Sequence, residues 1–217
     1  MPDLSLRSSE RAPKTFRLFL SFNPEPPLIE KLAQAQSRLR SHLEFHVPAL
    51  CHHIAWVRAA QMHLTLLFFG DVPSESAPGI EESLRSCVSD LPRPKLALGK
   101  LGSFPMFRQP KVLWLGVQKD RTFEKLQQRV MDRFQKPFRL DPAPSFPHIT
   151  LARVKLPSSA KSKGPPDFSL SNTLESFARE IESERFEWEP EAVSLMRSDS
   201  TTEGRAYHCL GTVKLDG

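Results

Sequence analysis

The sequence has few of the features that mark disulfide-rich, zinc-binding or membrane-spanning proteins. Its three cysteines, Cys51, Cys87 and Cys209, are widely spaced, and no Cys-x-x-Cys pair occurs. This spacing argues against a disulfide framework and against a zinc site, and it favours a reducing compartment. No uncharged run approaches the length that crosses a bilayer, and Met1–Lys14 contains no apolar signal core. We therefore expect a cytoplasmic protein with a polar, disordered arm over residues 1–14.

The composition is typical of a soluble globular protein that can bury a substantial core. The chain has 217 residues, of which 39 % are apolar and 25 % are charged. Its net charge of +5 favours an anionic partner, although charge alone does not separate RNA from a small phosphate ester. A basic surface that serves only solubility is the alternative.

One tetrapeptide pattern occurs twice, each time inside an apolar run. The first copy is His63-Leu64-Thr65-Leu66 and the second is His148-Ile149-Thr150-Leu151. Side chains alternate between the two faces of a strand, so each histidine shares a face with the threonine two residues later. Each run therefore predicts a strand with a buried apolar side and a polar side that carries an imidazole and a hydroxyl. Two unrelated strands with solvated polar faces are the alternative.

The remaining apolar periodicity predicts alternating strands and helices. Expected strands are 16–22, 54–57, 95–101, 112–117, 192–197 and 206–215, and expected helices are 28–43, 76–90, 121–135 and 173–184. Asn23 is the expected cap of the first helix. The polar stretch 157–166 is predicted to be a flexible loop.

The element order is strand, helix and strands, and then the same again. We therefore predict an α+β fold of two pseudo-symmetric lobes, each an antiparallel sheet with flanking helices. Each His-x-Thr strand would belong to one lobe of a single domain over residues 15–217. The active-site cleft would lie between the lobes.

Two imidazoles that face one cleft can divide an acid–base reaction between them. An imidazole has a pKa near 6.5, so one ring can donate a proton to a leaving oxygen while the other accepts a proton from water. Such a pair suits the hydrolysis of a phosphodiester and requires no metal or cofactor. A nearby cation would stabilise the charge on the phosphoryl oxygens. Arg153 is five residues after His148, so it points to the opposite face unless a bulge intervenes.

The paired motifs and several other stretches resemble the 2H phosphoesterase superfamily, and more closely its RNA 2′,3′-cyclic phosphodiesterase branch, also described as 2′-5′ RNA ligase-like. The matching stretches are Phe16–Phe19, Met62–Leu66, Phe69-Gly70, Phe104-Pro105, Pro110–Gly116, Pro147–Arg153 and the hairpin from Val193 through Ser198. The resemblance implies that His63 is the proton donor to the leaving ribose oxygen and that His148 is the acceptor that activates water. It also implies phosphate contacts from Thr65, Thr150 and Arg153, and a 2′-phosphomonoester product.

Five further residues are candidates for contacts to the substrate, and two other functions are alternatives. Possible contacts to a base or to RNA are Phe19, Phe104, Phe107, Arg108 and Lys111. Core packing is the alternative for the phenylalanines and a solvated surface for the two cations.

The partners would be RNA ends or nucleotide 2′,3′-cyclic phosphates, with no membrane and no obligate protein partner. The alternatives are 2′-5′ ligation of RNA ends, which is the same chemistry reversed, and a non-catalytic module that binds RNA or phosphate.

Overall fold

The computed structural model describes residues 14–141, 146–156, 168–181, 184, 186–202 and 204–216. Nine strands are present in this part of the chain, namely β1 Thr15–Phe22, β2 Ile54–Trp56, β3 Leu64–Pro73, β4 Leu96–Phe104, β5 Val112–Gln118, β6 His148–Val154, β7 Phe186–Trp188, β8 Ala192–Thr201 and β9 Gly204–Lys214. Four α-helices accompany them, namely α1 Pro26–His46, α2 Ala77–Val88, α3 Arg121–Phe138 and α4 Phe168–Ile181.

All nine strands join one curled antiparallel sheet. Its order is β7-β4-β5-β6-β3-β1-β8-β9, and β2 pairs with the free part of β6. The sheet has two halves, because β3 and β6 share one described residue pair, Leu64 with Ile149. We call this contact the seam. The half with β1, β3, β8 and β9 carries the first histidine motif, and the half with β2, β4, β5, β6 and β7 carries the second.

The helices cover one face of the sheet and bury its apolar side. Helices α1 and α4 pack together behind the second half, where they contact β7 and β4, whereas α2 and α3 pack behind β9 and β3 of the first half. The amphipathic pattern explains this arrangement, because the buried residues of α1 recur at helical spacing: Leu28, Leu32, Ala35, Leu39 and Leu43. The opposite face of the sheet is left for the site.

The predicted α+β architecture of two sheet-and-helix lobes is confirmed, but the halves are not consecutive in the chain. Strands β8 and β9 return from the C-terminal region to complete the half that β1 and β3 begin. Helix α1 follows β1 but packs on the other half. The repeated element order therefore reflects two interleaved halves.

Two local predictions need correction. Glu25, not Asn23, is the N-cap of α1, and Pro26 and Pro27 occupy its first turn. The Asn23 side chain instead accepts a hydrogen bond from Ser21 and contacts the sulfur of Met196. Helix α4 begins earlier than predicted and ends at Ile181.

The predicted arm, apart from Lys14, and the predicted loop 157–166 lie outside the described residues. No helix among the described residues is long and apolar enough to cross a membrane.

Candidate active site at the seam

The two histidines lie on either side of the seam. His63 immediately precedes β3 and His148 begins β6, and the residues that follow them, Leu64 and Ile149, form the pair that joins the two halves. Both histidines and both threonines of the motifs are half-buried, whereas the apolar residues between them are buried. The alternation predicted for each motif is therefore present in the structure.

The same hydrogen bond orients both imidazoles. Nδ1 of His63 lies 2.8 Å from the carbonyl oxygen of Gln61, and Nδ1 of His148 lies 2.7 Å from the carbonyl oxygen of Phe146. A carbonyl oxygen only accepts, so Nδ1 is the protonated nitrogen of each neutral ring. Nε2 of each ring is therefore the atom available for proton transfer.

Each imidazole also packs against two aromatic rings. The His63 ring lies 4.9 Å from the ring of Phe19 and 5.0 Å from that of Tyr207. The His148 ring lies 5.0 Å from the ring of Phe104 and 6.0 Å from that of Trp114. Packing of this kind restricts ring rotation and complements the backbone hydrogen bonds.

Burial lowers the pKa of both histidines. For His63 desolvation is the main cause, the hydrogen bond to Gln61 opposes it, and the positive charges of His148 and Arg153 lower the pKa further. For His148 desolvation again lowers the pKa, the hydrogen bond to Phe146 opposes it, and the charge of Arg153 lowers it further. Both rings therefore favour the neutral form in the protein without an anion.

A β-bulge brings Arg153 to the same face as the second motif. Leu113 of β5 faces Ala152 and Trp114 faces Thr150, so Leu151 is an extra residue in β6. The extra residue reverses the alternation that follows it, which places Arg153 on the face of His148 and Thr150. The effect of its charge on the pKa of both histidines agrees with this placement.

The other candidate residues occupy different environments. Phe19 is 3 % exposed and packs on His63, so little of its ring is left for a base. Phe104, the last residue of β4, packs on His148, and Phe107 in the connection from β4 to β5 packs against the core. Arg108 and Lys111 of this connection are exposed.

Sequence reasoning missed two site residues, Trp114 and Tyr207. Trp114 of β5 faces Thr150 of β6, and its indole covers Gly102, where an added Cβ would come within 2.1 Å of the ring. Tyr207 reaches His63 from β9, which is separated from β3 by two strands, β1 and β8. Trp114 could have been found from the sequence, because it lies in the expected strand 112–117 and in the matching stretch that ends at Gly116. Tyr207 is the only tyrosine in the chain, but its position gave no such signal.

The remaining polar groups do not assemble into a metal site within the described ranges. No group of three or more His, Cys, Asp or Glu side chains there is arranged to hold a metal ion. The rings of His52 and His53 contact each other in the short helical turn before β2, and Nε2 of His208 lies 3.3 Å from Oδ2 of Asp199.

A curled antiparallel sheet with paired His-x-Thr motifs at its seam defines the class of two-histidine (2H) phosphoesterases. The family model of the 2′-5′ RNA ligase superfamily matches residues 24–202. The chain therefore belongs to the 2′-5′ RNA ligase superfamily, and the resemblance drawn from its motifs is confirmed.

Curated relatives carry the name RNA 2′,3′-cyclic phosphodiesterase. The relative from Methanothermobacter thermautotrophicus is 28 % identical over 191 residues, which are 88 % of this chain and 94 % of the relative. The relative from Geobacillus stearothermophilus is 31 % identical over 128 residues, 58 % of this chain. That match spans 40 % of the Geobacillus protein.

Solved structures share the fold over almost the whole chain. The crystal structure of TT0787 of Thermus thermophilus has a TM-score of 0.68 and 26 % identity, and the match covers 92 % of this chain and 97 % of TT0787. Escherichia coli LigT in its apo form has a TM-score of 0.65 and 22 % identity, with coverage of 94 % and 99 %. At that identity, the likeness to LigT shows the fold alone.

Proposed function

We propose that this protein hydrolyses 2′,3′-cyclic phosphates at RNA or nucleotide ends without a metal ion, with His63 and His148 as the acid–base pair. One observation carries the proposal: two imidazoles flank the seam, and each has its Nδ1 held by a carbonyl so that Nε2 is available. The names of the curated relatives support the reaction class.

The reaction requires one neutral and one protonated imidazole. Neutral His148 accepts a proton from water at Nε2 as the water oxygen attacks phosphorus. Protonated His63 donates its Nε2 proton to the ribose 3′ oxygen as the bond from phosphorus to that oxygen breaks. The product is a 2′-phosphomonoester, and proton exchange with solvent restores the starting forms. Because burial favours neutral rings, the anionic substrate would provide the charge that keeps His63 protonated.

Arg153 and the two threonines complete the phosphate site in this proposal. The face shared by His148, Thr150 and Arg153 presents a hydroxyl and a guanidinium beside the second imidazole, and Thr65 lies on the face of His63. These donors would bind the non-bridging oxygens, where charge develops during attack.

Ligation of RNA ends through a 2′-5′ bond is the second candidate function. The family model that matches the chain is named for this activity. The same two imidazoles would serve it. A ribose 5′ hydroxyl in place of water would attack phosphorus and give its proton to His148, while the 3′ oxygen leaves with a proton from His63, so that a 2′-5′ diester remains. A non-catalytic RNA-binding module fits less well, because binding phosphate requires cations rather than two oriented imidazoles.

The product formed from 2′,3′-cyclic AMP tests the proposal. Phosphorus NMR of a reaction that contains EDTA should show the 2′-monophosphate accumulating without the 3′ isomer. Formation of the 3′ isomer would contradict the assignment of the leaving oxygen. Loss of turnover on chelation would contradict the metal-independent mechanism, and absence of turnover with RNA binding retained would favour the binding module.

A further inference from the structure

The two motifs have matching irregularities as well as matching residues. In β3, Ser21 faces Thr65 and Leu20 faces Leu67, so Leu66 is an extra residue. It stands at the same place in the first motif as Leu151 in the second. Each half of the sheet therefore has the order histidine, threonine and bulge, followed two residues later by a residue on the site face.

That last position differs between the two halves. In β6 it is Arg153, and in β3 it is Phe68. The Phe68 side chain is 45 % exposed, although most large apolar side chains in the described residues are buried. One half thus places a cation beside its imidazole, where the other half places an exposed aromatic ring.

The Phe68 ring contacts a cation and also lines a cavity. The Arg17 guanidinium lies over the ring at 4.8 Å from its centroid and forms an ion pair with Asp71. Phe68 lines a cavity of about 880 Å³, and Arg17 is not among the lining residues. We infer that the guanidinium covers the ring face that is turned away from the cavity.

The cavity is continuous with the candidate active site. It opens where β3 and β6 separate beyond the seam, and its lining includes Thr65 on one wall and His148 and Phe104 on the other. A group bound there would be joined directly to a phosphate held by these two motif residues. The cavity extends around the edge of β3 to the helix-covered face of the sheet, where α3 adds polar side chains such as Gln128.

We propose that this cavity binds the base of the nucleotide whose cyclic phosphate is cleaved, with the free face of Phe68 as its stacking platform. A nucleobase has the flat apolar face that stacks on an aromatic ring and the polar edge that hydrogen-bonds side chains such as amides. Arg153 would then contact the phosphate, and Phe68, its counterpart in the other half, would contact the base. This inference rests on the proposed function.

The test compares 2′,3′-cyclic AMP with methyl riboside 2,3-cyclic phosphate, which has the cyclic diester but no base. The readout is kcat/KM for 2′,3′-cyclic AMP divided by kcat/KM for the methyl riboside. Stacking on a protein aromatic ring is worth roughly a tenfold or greater change in affinity, so Phe68→Ala should lower this ratio by roughly tenfold. Phe68→Tyr keeps the ring and should keep the ratio. Phe45→Ala removes a ring on α1 that is 81 % exposed, and it is the matched control.

Each outcome distinguishes this inference from the proposed function. An unchanged ratio in Phe68→Ala would overturn the base site, as would a wild-type protein that cleaves both substrates equally well. A wild-type protein that cleaves neither substrate would overturn the proposed function, and the base site with it. A lowered ratio in Phe68→Ala, with the ratio retained in Phe68→Tyr and Phe45→Ala, supports the inference.

Discussion

Replacing Arg153 by Gln tests whether the bulge in β6 brings a cation to both imidazoles. The charge of Arg153 lowers the pKa of His63 and of His148, so both values should rise in the variant. The variant also loses a charged donor to the phosphate, and such hydrogen bonds contribute about 1.5–3 kcal/mol. Because Arg153 is exposed, the lower end applies, and kcat/KM should fall roughly tenfold.

The assay combines an NMR titration of the histidine Cε1 protons with kcat/KM for 2′,3′-cyclic AMP. Arg40→Gln is the control, since it removes the same charge from an exposed arginine of α1 that pairs with Glu44. The placement of Arg153 beside both imidazoles is refuted if the pKa values of both histidines in Arg153→Gln match those of wild type. It is also refuted if Arg40→Gln raises them equally.

Three further predictions concern packing and pH. Gly102→Ala should lower the free energy of unfolding by about 1–3 kcal/mol in urea, because its Cβ would collide with the Trp114 ring; unchanged stability would contradict this contact. Below pH ~6.5, His63 and His148 bind protons more readily in the unfolded state than in the fold, because folding lowers their pKa values. The free energy of unfolding should therefore fall as the pH drops from about 6.5 through the lowered pKa values. A flat pH profile would argue against the burial of both rings. For the same reason kcat/KM, which needs one neutral and one charged ring, should be highest below pH ~6.5, and a maximum well above pH 7 would contradict the lowered pKa values.

The sequence was sufficient to predict the motif strands, because their alternation depends on two-residue periodicity alone. His63 and Thr65 share a half-buried face, as do His148 and Thr150. The face on which Arg153 lies was ambiguous, because regular alternation places its side chain on the face opposite to His148. The bulge at Leu151 exists only in the pairing of β6 with β5, which no local pattern encodes.

The aromatic neighbours of the histidines were harder to predict, because they come from strands distant in sequence. Tyr207 reaches His63 only because β9 returns to the half that β1 and β3 began. The cap of α1 was misassigned for a local reason. Asn23 is a good capping residue by type, but its side chain bonds to Ser21, and the helix begins after Glu25.

The central claim is that two imidazoles act together at one phosphorus atom, and the kcat of histidine variants tests it most directly. His63→Ala and His148→Ala should each lower kcat for 2′,3′-cyclic AMP by roughly 10²- to 10⁴-fold, and the double variant should lose little more than the worse single variant. His208→Ala, which changes an exposed histidine paired with Asp199, should retain wild-type kcat. A wild-type kcat in either His63→Ala or His148→Ala would contradict the account.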